Sequence, residues 1–189
     1  MFYLANKITL ILINHEIIEK EDAEVYRYGF EMLIYFTVNL LITLLIGIYF
    51  NRFIHTLLFL SCYCTLRQFT GGYHADSYTE CTLTFTLIYL VTIFLTNNLE
   101  VDNMKIPLLI LLIISLIIIY RFAPLEHRNK PLSGEEKKQY KGVAITLAKG
   151  ISSLIGIGLL FDIFTTYIFY LLFSMIWIAI LLVLGRYIK

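Results

Sequence analysis

Charged residues are scarce in this sequence. Only 15% of its 189 residues are Asp, Glu, Lys or Arg, whereas 59% are hydrophobic. This balance lies well to the apolar side of a soluble globular domain, and the apolar residues come in long blocks. The formal net charge is only +1, and no basic face interleaved with aromatic residues is present, so nothing favours a nucleic acid as partner. The composition therefore indicates a protein whose main partner is a lipid bilayer.

Several motifs of other protein classes are also missing. The sequence contains no Gly-x-Ser-x-Gly elbow and no Walker-type glycine loop, which argues against serine-elbow hydrolysis and ATP-driven transport. The stretch from His15 to Glu19 begins like a zinc-protease motif, but Glu19 occupies the position of the second histidine. No small-residue cleavage site follows the apolar run Ile8 to Ile13, so no signal peptide is predicted. We expect no metal and no other cofactor.

Cysteine is also infrequent. Cys62 and Cys64 are separated by one residue within an apolar run, which is too close for a zinc site, and we predict that both are buried free thiols. Cys81 differs from them because it alone lies among polar residues. It is therefore the cysteine that we consider for chemistry.

The apolar residues form six segments, and the first is long enough to cross a hydrocarbon core of about 30 Å as a helix. We predict an all-α integral membrane protein with about six hydrophobic segments. Because the second, third and fourth are short, four full spans plus a re-entrant pair is an alternative. The segments are Phe30 to Phe50, Phe53 to Leu66, Thr82 to Thr96, Ile106 to Tyr120, Val143 to Phe161 and Ile163 to Leu184.

The positions of Lys and Arg predict the orientation. Only Arg52 and Lys105 fall on one side of a six-span arrangement, and the other cations outside the spans fall opposite. Because Lys and Arg mark cytoplasmic loops, both termini, residues 67–81 and the basic loop 121–142 are predicted to face the cytoplasm.

Two parts of the chain are distinguished by their patterns. Residues 1–29 are predicted to be an N-terminal amphipathic segment at the membrane interface, since Leu4, Ile8, Ile11 and Ile18 fall on one helical face. Residues 30–189 are predicted to form one multispan membrane domain.

The polar loop of residues 67–81 holds the candidate chemistry. His74 and Cys81 are the imidazole and thiol that a cysteine protease requires. On one straight helix this spacing separates them by about 10.5 Å, whereas proton transfer needs about 3 Å. The chain must therefore fold back, for which Gly71-Gly72 supplies conformational freedom, or the pair must form between two subunits.

Cys81 directly precedes an apolar run and should lie at the N-terminus of a membrane helix, where unpaired amides favour a thiolate. The same amides are candidates for an oxyanion hole, and Arg67 is a candidate to hold a substrate carbonyl or carboxylate. Asp76 and Glu80 are candidates to orient His74, with plain loop carboxylates as the alternative.

The motif Arg67-x4-Gly-Tyr-His-x6-Cys81, followed by Ala123-Pro-Leu-Glu-His-Arg-Asn-Lys-Pro131, resembles the accessory gene regulator B (AgrB) family of Gram-positive quorum-sensing systems. The similarity covers nearly the whole chain. It implies a cysteine endopeptidase of the cell membrane with His74 and Cys81 as catalytic pair, and with Arg67 and Gly72 as supporting positions in a catalytic loop.

The resemblance also implies a substrate and a reaction. The substrate is a short propeptide, and cleavage releases its C-terminal tail and leaves an acyl-enzyme thioester. A cysteine or serine of the substrate then attacks the thioester, which closes a thiolactone or lactone autoinducing peptide. A homodimer is expected by the same resemblance. The alternative is a small peptide exporter or membrane adaptor without hydrolytic activity, and the low polar content of the spans disfavours it.

Overall fold

The computed structural model describes residues 2–73, 78–98, 101–126 and 132–187, without the side chains of 101–103. Within these ranges the chain is helical and contains no β-strand. A short 3-10 turn, Lys20–Asp22, precedes the second of seven α-helices. The helices are α1 (Phe2–Asn14), α2 (Ala23–Tyr49), α3 (Phe53–Thr70), α4 (Tyr78–Asn98), α5 (Val101–Phe122), α6 (Gly134–Phe161) and α7 (Thr165–Tyr187).

The predicted all-α membrane architecture is confirmed. Each of the six apolar segments corresponds to one helix, α2 to α7, with differences of one or two residues at the end of the first segment and the start of the last. The short segments of α4 and α5 are extended by flanking turns, which brings these helices to 21 and 22 residues. In the described part of the chain, five helices are long and apolar enough to cross a membrane, namely α2, α4, α5, α6 and α7. The protein is therefore a multipass membrane protein, with α3 as a further apolar helix in the bundle.

Helix α7 is the centre of the bundle. It packs against α3, α4, α5 and α6. Of the 18 residues in its most apolar stretch, 67% are buried. Tyr170, Leu172, Met175, Ile178 and Leu182 of this helix are fully buried. Such close packing fixes the helices around α7 relative to one another.

Helices α2, α3 and α4 run alternately up and down beside this centre. Gly47 of α2 lies against Thr56 of α3, directly across the turn that joins the two helices. The Thr56 hydroxyl is 2.5 Å from the hydroxyl of Tyr89 in α4, and nearer the start of α4 the ring of Phe85 lies 5.1 Å from that of Tyr63. Each neighbouring pair is thus antiparallel, so α2 and α4 are parallel.

The two ends of the bundle differ. We call the end with residues 70–73 and 123–126 the loop end. At the opposite end, Arg52 donates a hydrogen bond to Asn97, and Lys105 pairs with Asp162 at 2.6 Å. The two cations that the sequence separates from all others therefore do lie at one end together.

Helix α1 packs on α2 through Ala5 and Thr9, which are buried. Leu4 and Ile11, by contrast, are about half exposed. Ile18 lies beyond the end of α1, and α2 begins at Ala23, so the first membrane helix extends into segment 1–29. The position of α1 at a membrane interface stays a prediction.

Candidate active site

The loop after α3 begins with a sharp change of direction. Gly71 has φ +65° and Gly72 has φ +130°, backbone conformations that residues with a side chain rarely adopt. Two consecutive glycines therefore allow the chain to leave the axis of α3 within two residues. The turn predicted at Gly71-Gly72 is therefore present, while the pairing of His74 with Cys81, within one subunit or between two, stays a prediction.

Arg67 holds this loop from within. Its two terminal nitrogens donate hydrogen bonds to the carbonyl oxygens of Gly71 and Tyr73. A Cβ atom on Gly72 would lie 1.9 Å from Arg67 Nη1, so a side chain there would displace the guanidinium. Arg67 thus binds the loop itself. The predicted contact between Arg67 and the substrate stays a prediction.

Two other parts of the chain hold the loop from outside. The Leu125 amide donates to the Thr70 carbonyl at 2.9 Å, and the Tyr73 amide donates to the Leu181 carbonyl of α7 at 2.8 Å. Gly185 permits the second contact, because a Cβ atom there would lie 2.5 Å from Tyr73 N. Sequence reasoning missed Leu125, Leu181 and Gly185, since no local pattern marks a contact between such distant residues.

Cys81 lies in the first turn of α4, as predicted, and is exposed. Glu80 belongs to the same turn. His74 and Asp76 lie outside the described residues, so their predicted roles are not tested. Of the other thiols, Cys62 is buried and 2.7 Å from the Ser174 hydroxyl, whereas Cys64 is only half-buried.

Cys81 opens into a cavity of about 720 Å³ at the loop end. This volume is in the range of pockets that hold small ligands or short peptide segments. The walls come from α2, α3 and α4, with the 124–126 segment, Leu132, Tyr140 of α6 and Leu181 of α7 completing the lining. Most of the lining side chains are apolar. The polar ones include Asn39, Thr65, Arg67, Gln68, Thr84 and Glu126. The loop residues Gly71 and Tyr73 face the same cavity as Cys81.

The basic loop lies beside this cavity. Lys137 in the first turns of α6 pairs with Glu126 at 2.8 Å, and the Lys141 ammonium lies 5.9 Å from the centre of the Tyr120 ring. Ser133 and Glu136 form a capping box that starts α6. Residues 127–131 lie outside the described ranges. Among the residues that are described, no group of three or more His, Cys, Asp or Glu is arranged to hold a metal ion.

Comparison with known proteins agrees with these features. The family model described as accessory gene regulator B matches residues 5–183. An AgrB-like protein of Clostridium perfringens strain 13 is 27% identical over 157 residues, which cover 80% of this chain and 71% of that protein. A relative from strain SM101 has the same identity and coverage. No solved structure matches the chain significantly. Because the family model spans most of the sequence, this protein belongs to the accessory gene regulator B family.

Proposed function

We propose that this protein is a membrane cysteine endopeptidase that removes the C-terminal tail from a short propeptide and promotes cyclisation of the remainder. Family membership supports a part in the processing of an accessory-gene-regulator autoinducer. The finer proposal depends on one observation. Cys81 stands in the first turn of α4, exposed, in a cavity that is also lined by the anchored loop residues Gly71 and Tyr73, directly before His74 in the sequence.

The first step forms one bond and breaks another. The Cys81 thiolate attacks the carbonyl carbon at the C-terminal side of the future signal, and the C–N bond to the tail breaks. The His74 imidazolium gives its proton to the leaving amine, while backbone amides in the first turn of α4 stabilise the oxyanion. The released tail carries the new amine, and the rest of the propeptide remains on Cys81 as a thioester.

The second step returns the enzyme to its starting state. A thiol or hydroxyl of the bound peptide attacks the thioester carbonyl, and the Cys81 thiolate leaves. The proton of the attacking group passes to His74, so atoms and charges balance over the two steps. The product is a thiolactone or lactone, and no external oxidant, reductant or nucleotide is consumed.

The distribution of charge supports an orientation for this chemistry. Lys137, Lys138 and Lys141 belong to the first turns of α6 at the loop end, whereas Arg52 and Lys105 lie at the other end. Since cytoplasmic ends carry the excess of Lys and Arg, we place the loop end and its cavity in the cytoplasm. A propeptide made on ribosomes meets its enzyme there. A homodimer stays a prediction.

Replacement of Cys81 tests the proposal. In membrane vesicles that contain equal amounts of protein, Cys81→Ala should release no tail from the propeptide and form no hydroxylamine-sensitive acyl adduct. Cys62→Ala is the matched control, because its thiol is buried against Ser174 away from the cavity, and it should cleave normally. Normal tail release by Cys81→Ala would refute the peptidase assignment, and peptide movement across the vesicles without an adduct would favour an exporter.

A further inference from the structure

Asn39 is a carboxamide in the apolar run of α2. It lines the cavity that contains Cys81. Its Oδ1 atom is buried and accepts no hydrogen bond from the described part of the chain. A polar atom kept from water without a partner costs free energy, more so at membrane depth, and such residues mark functional positions by default. The unpaired oxygen therefore calls for a hydrogen-bond donor that enters the cavity.

Asn39 lies at about the depth of Cys81. The rings of Tyr35 in α2 and Tyr78 in α4 are stacked with their centres 4.0 Å apart, which sets the two parallel helices at a common level. Asn39 follows Tyr35 by about 6 Å of helical rise, and Cys81 follows Tyr78 by about 4.5 Å. Both side chains line the same cavity, so the carboxamide and the thiol belong to one layer of it, on different walls.

A second acceptor on α2 is in the same condition. Glu31 Oε1 is buried and has no hydrogen-bond partner among the described residues. Glu31, Tyr35 and Asn39 follow one another at four-residue spacing, so they form a stripe along α2 that leads from the loop end to the level of Cys81. Of these two acceptors, only Asn39 belongs to a residue that lines the cavity of Cys81, so it is the one that a ligand in the cavity would meet.

We infer that Asn39 is a substrate-binding residue whose Oδ1 accepts a hydrogen bond from a backbone N–H of the peptide held beside Cys81. An extended peptide brings into an apolar cavity N–H groups that themselves require acceptors. A lipid acyl chain brings none, so it would leave the oxygen unpaired. The inference rests on the proposed function, since it assigns the peptide segment near the cleaved bond to this wall.

Asn39→Leu in the full-length protein tests the inference in vesicles. Loss of one hydrogen bond to substrate should raise KM for tail release about tenfold, with kcat changed less than about threefold. Alkylation of Cys81 by iodoacetamide without substrate should keep its rate, because the thiol does not depend on Asn39. Unfolding in detergent should occur at the same temperature or higher, since an unpaired buried polar atom is removed. Thr37→Val, at an exposed position of α2, is the control and should leave KM unchanged.

The substrate supplies a second, independent measurement. Propeptides with a single N-methylated amide near the cleaved bond lack one donor each. At one position, N-methylation should raise KM for the unaltered protein about tenfold and have no further effect on Asn39→Leu, because the two changes remove the same hydrogen bond.

The outcomes separate this inference from the proposed function. Any of three results would overturn the role of Asn39. The first is an unchanged KM for Asn39→Leu, and the second is that N-methylation at every position raises KM by the same factor in Asn39→Leu as in the unaltered protein. The third is that alkylation of Cys81 slows by as much as cleavage does. A lowered kcat at constant KM would do so too, because it would place the carboxamide on the reacting carbonyl. None of these affects the peptidase proposal, which falls only if Cys81→Ala still cleaves.

Discussion

Helices α7 and α2 border the same cavity but differ in almost every other respect. In the most apolar 18-residue stretch of each helix, 67% of the residues are buried in α7, against 11% in α2. The Leu181 carbonyl of α7 accepts a hydrogen bond from the Tyr73 amide, whereas Asn39 and Glu31 of α2 carry buried oxygens without a donor in the described chain. Where the two helices border the cavity, the Leu181 carbonyl of α7 is thus paired, whereas the Asn39 oxygen of α2 has unused hydrogen-bonding capacity.

This difference suggests a division of labour. Catalysis requires reacting groups held within a fraction of an ångström, and close packing around α7 provides such rigidity for the loop. Binding a peptide requires a wall with free acceptors and few packing constraints, and α2 provides that. The contrast predicts that changes on the α7 side alter the rate of reaction, and that changes on the α2 side alter recognition.

Gly185→Val should have the largest effect. A Cβ atom at Gly185 would lie 2.5 Å from Tyr73 N and 2.8 Å from Gly72 C. Both are backbone atoms, so the loop itself must move. A displacement of about 1 Å costs on the order of a hundredfold in rate, and we expect at least that loss in kcat for tail release. The measurement is single-turnover cleavage in vesicles with equal protein content.

Gly150→Val in α6 is the matched control for this change. A Cβ atom at Gly150 meets nothing within 4 Å, so cleavage should stay near the normal rate. A Gly185→Val protein that cleaves as fast as this control would show that the contact with α7 does not position the loop.

The next largest effect is on stability. Leu182 of α7 is fully buried, whereas Leu41 of α2 is 52% exposed. Leu182→Ala should lower the free energy of unfolding by about 3 kcal/mol because it leaves a cavity in a packed centre, and Leu41→Ala by less than about 1 kcal/mol. Unfolding in detergent micelles measures both. Equal losses would contradict the difference in packing between the two helices.

Much of the fold was predictable from local sequence, and so was one part of the site. Long apolar blocks mark the helices because membrane-buried backbone must bond to itself, and an apolar run after a polar loop places Cys81 in a first helical turn. Gly71-Gly72 indicated the turn because only glycine adopts such φ angles readily.

The anchors of the loop were not predictable in this way. From the sequence, Arg67 could donate hydrogen bonds either to the substrate or to carbonyl groups of the loop. Only the folded chain shows that it donates to the loop. Leu125 and Gly185 contact the loop although they are far from it in sequence, and no local sequence pattern predicts these contacts. Asn39 did carry a signal, a carboxamide within an apolar span, but its direction toward the cavity required the structure.

Arg67→Lys should have a smaller effect than Gly185→Val. Lysine has one nitrogen on a flexible stem, so it cannot bond both the Gly71 and Tyr73 carbonyls as the guanidinium does. We expect kcat for tail release to fall about tenfold, with KM nearly constant, because the loop is held less firmly. Arg52→Lys, at the far end beside Asn97, should cleave normally. A rise in KM at constant kcat would instead assign Arg67 to the substrate.

Tyr89→Phe should have the smallest effect. It tests whether the rigid part of the site, which α7 and the loop form, also includes α4. The change removes the hydroxyl that lies 2.5 Å from Thr56 between α3 and α4, while Thr56 keeps its hydrogen bond to the Arg52 carbonyl. Hydrogen bonds between membrane helices contribute about 0.6 kcal/mol on average, so unfolding in micelles should shift by about that amount. Tyr49→Phe, at a residue 80% exposed, should cause no shift.

Cleavage by Tyr89→Phe should be unchanged, because the described part of the loop, residues 70–73, is held by Arg67, Leu125 and α7. If the protein instead stays stable but loses cleavage, then the spacing of α3 and α4 also positions Cys81. The rigid part of the site would in that case extend beyond the loop to α4, and only α2 would remain as the adaptable wall.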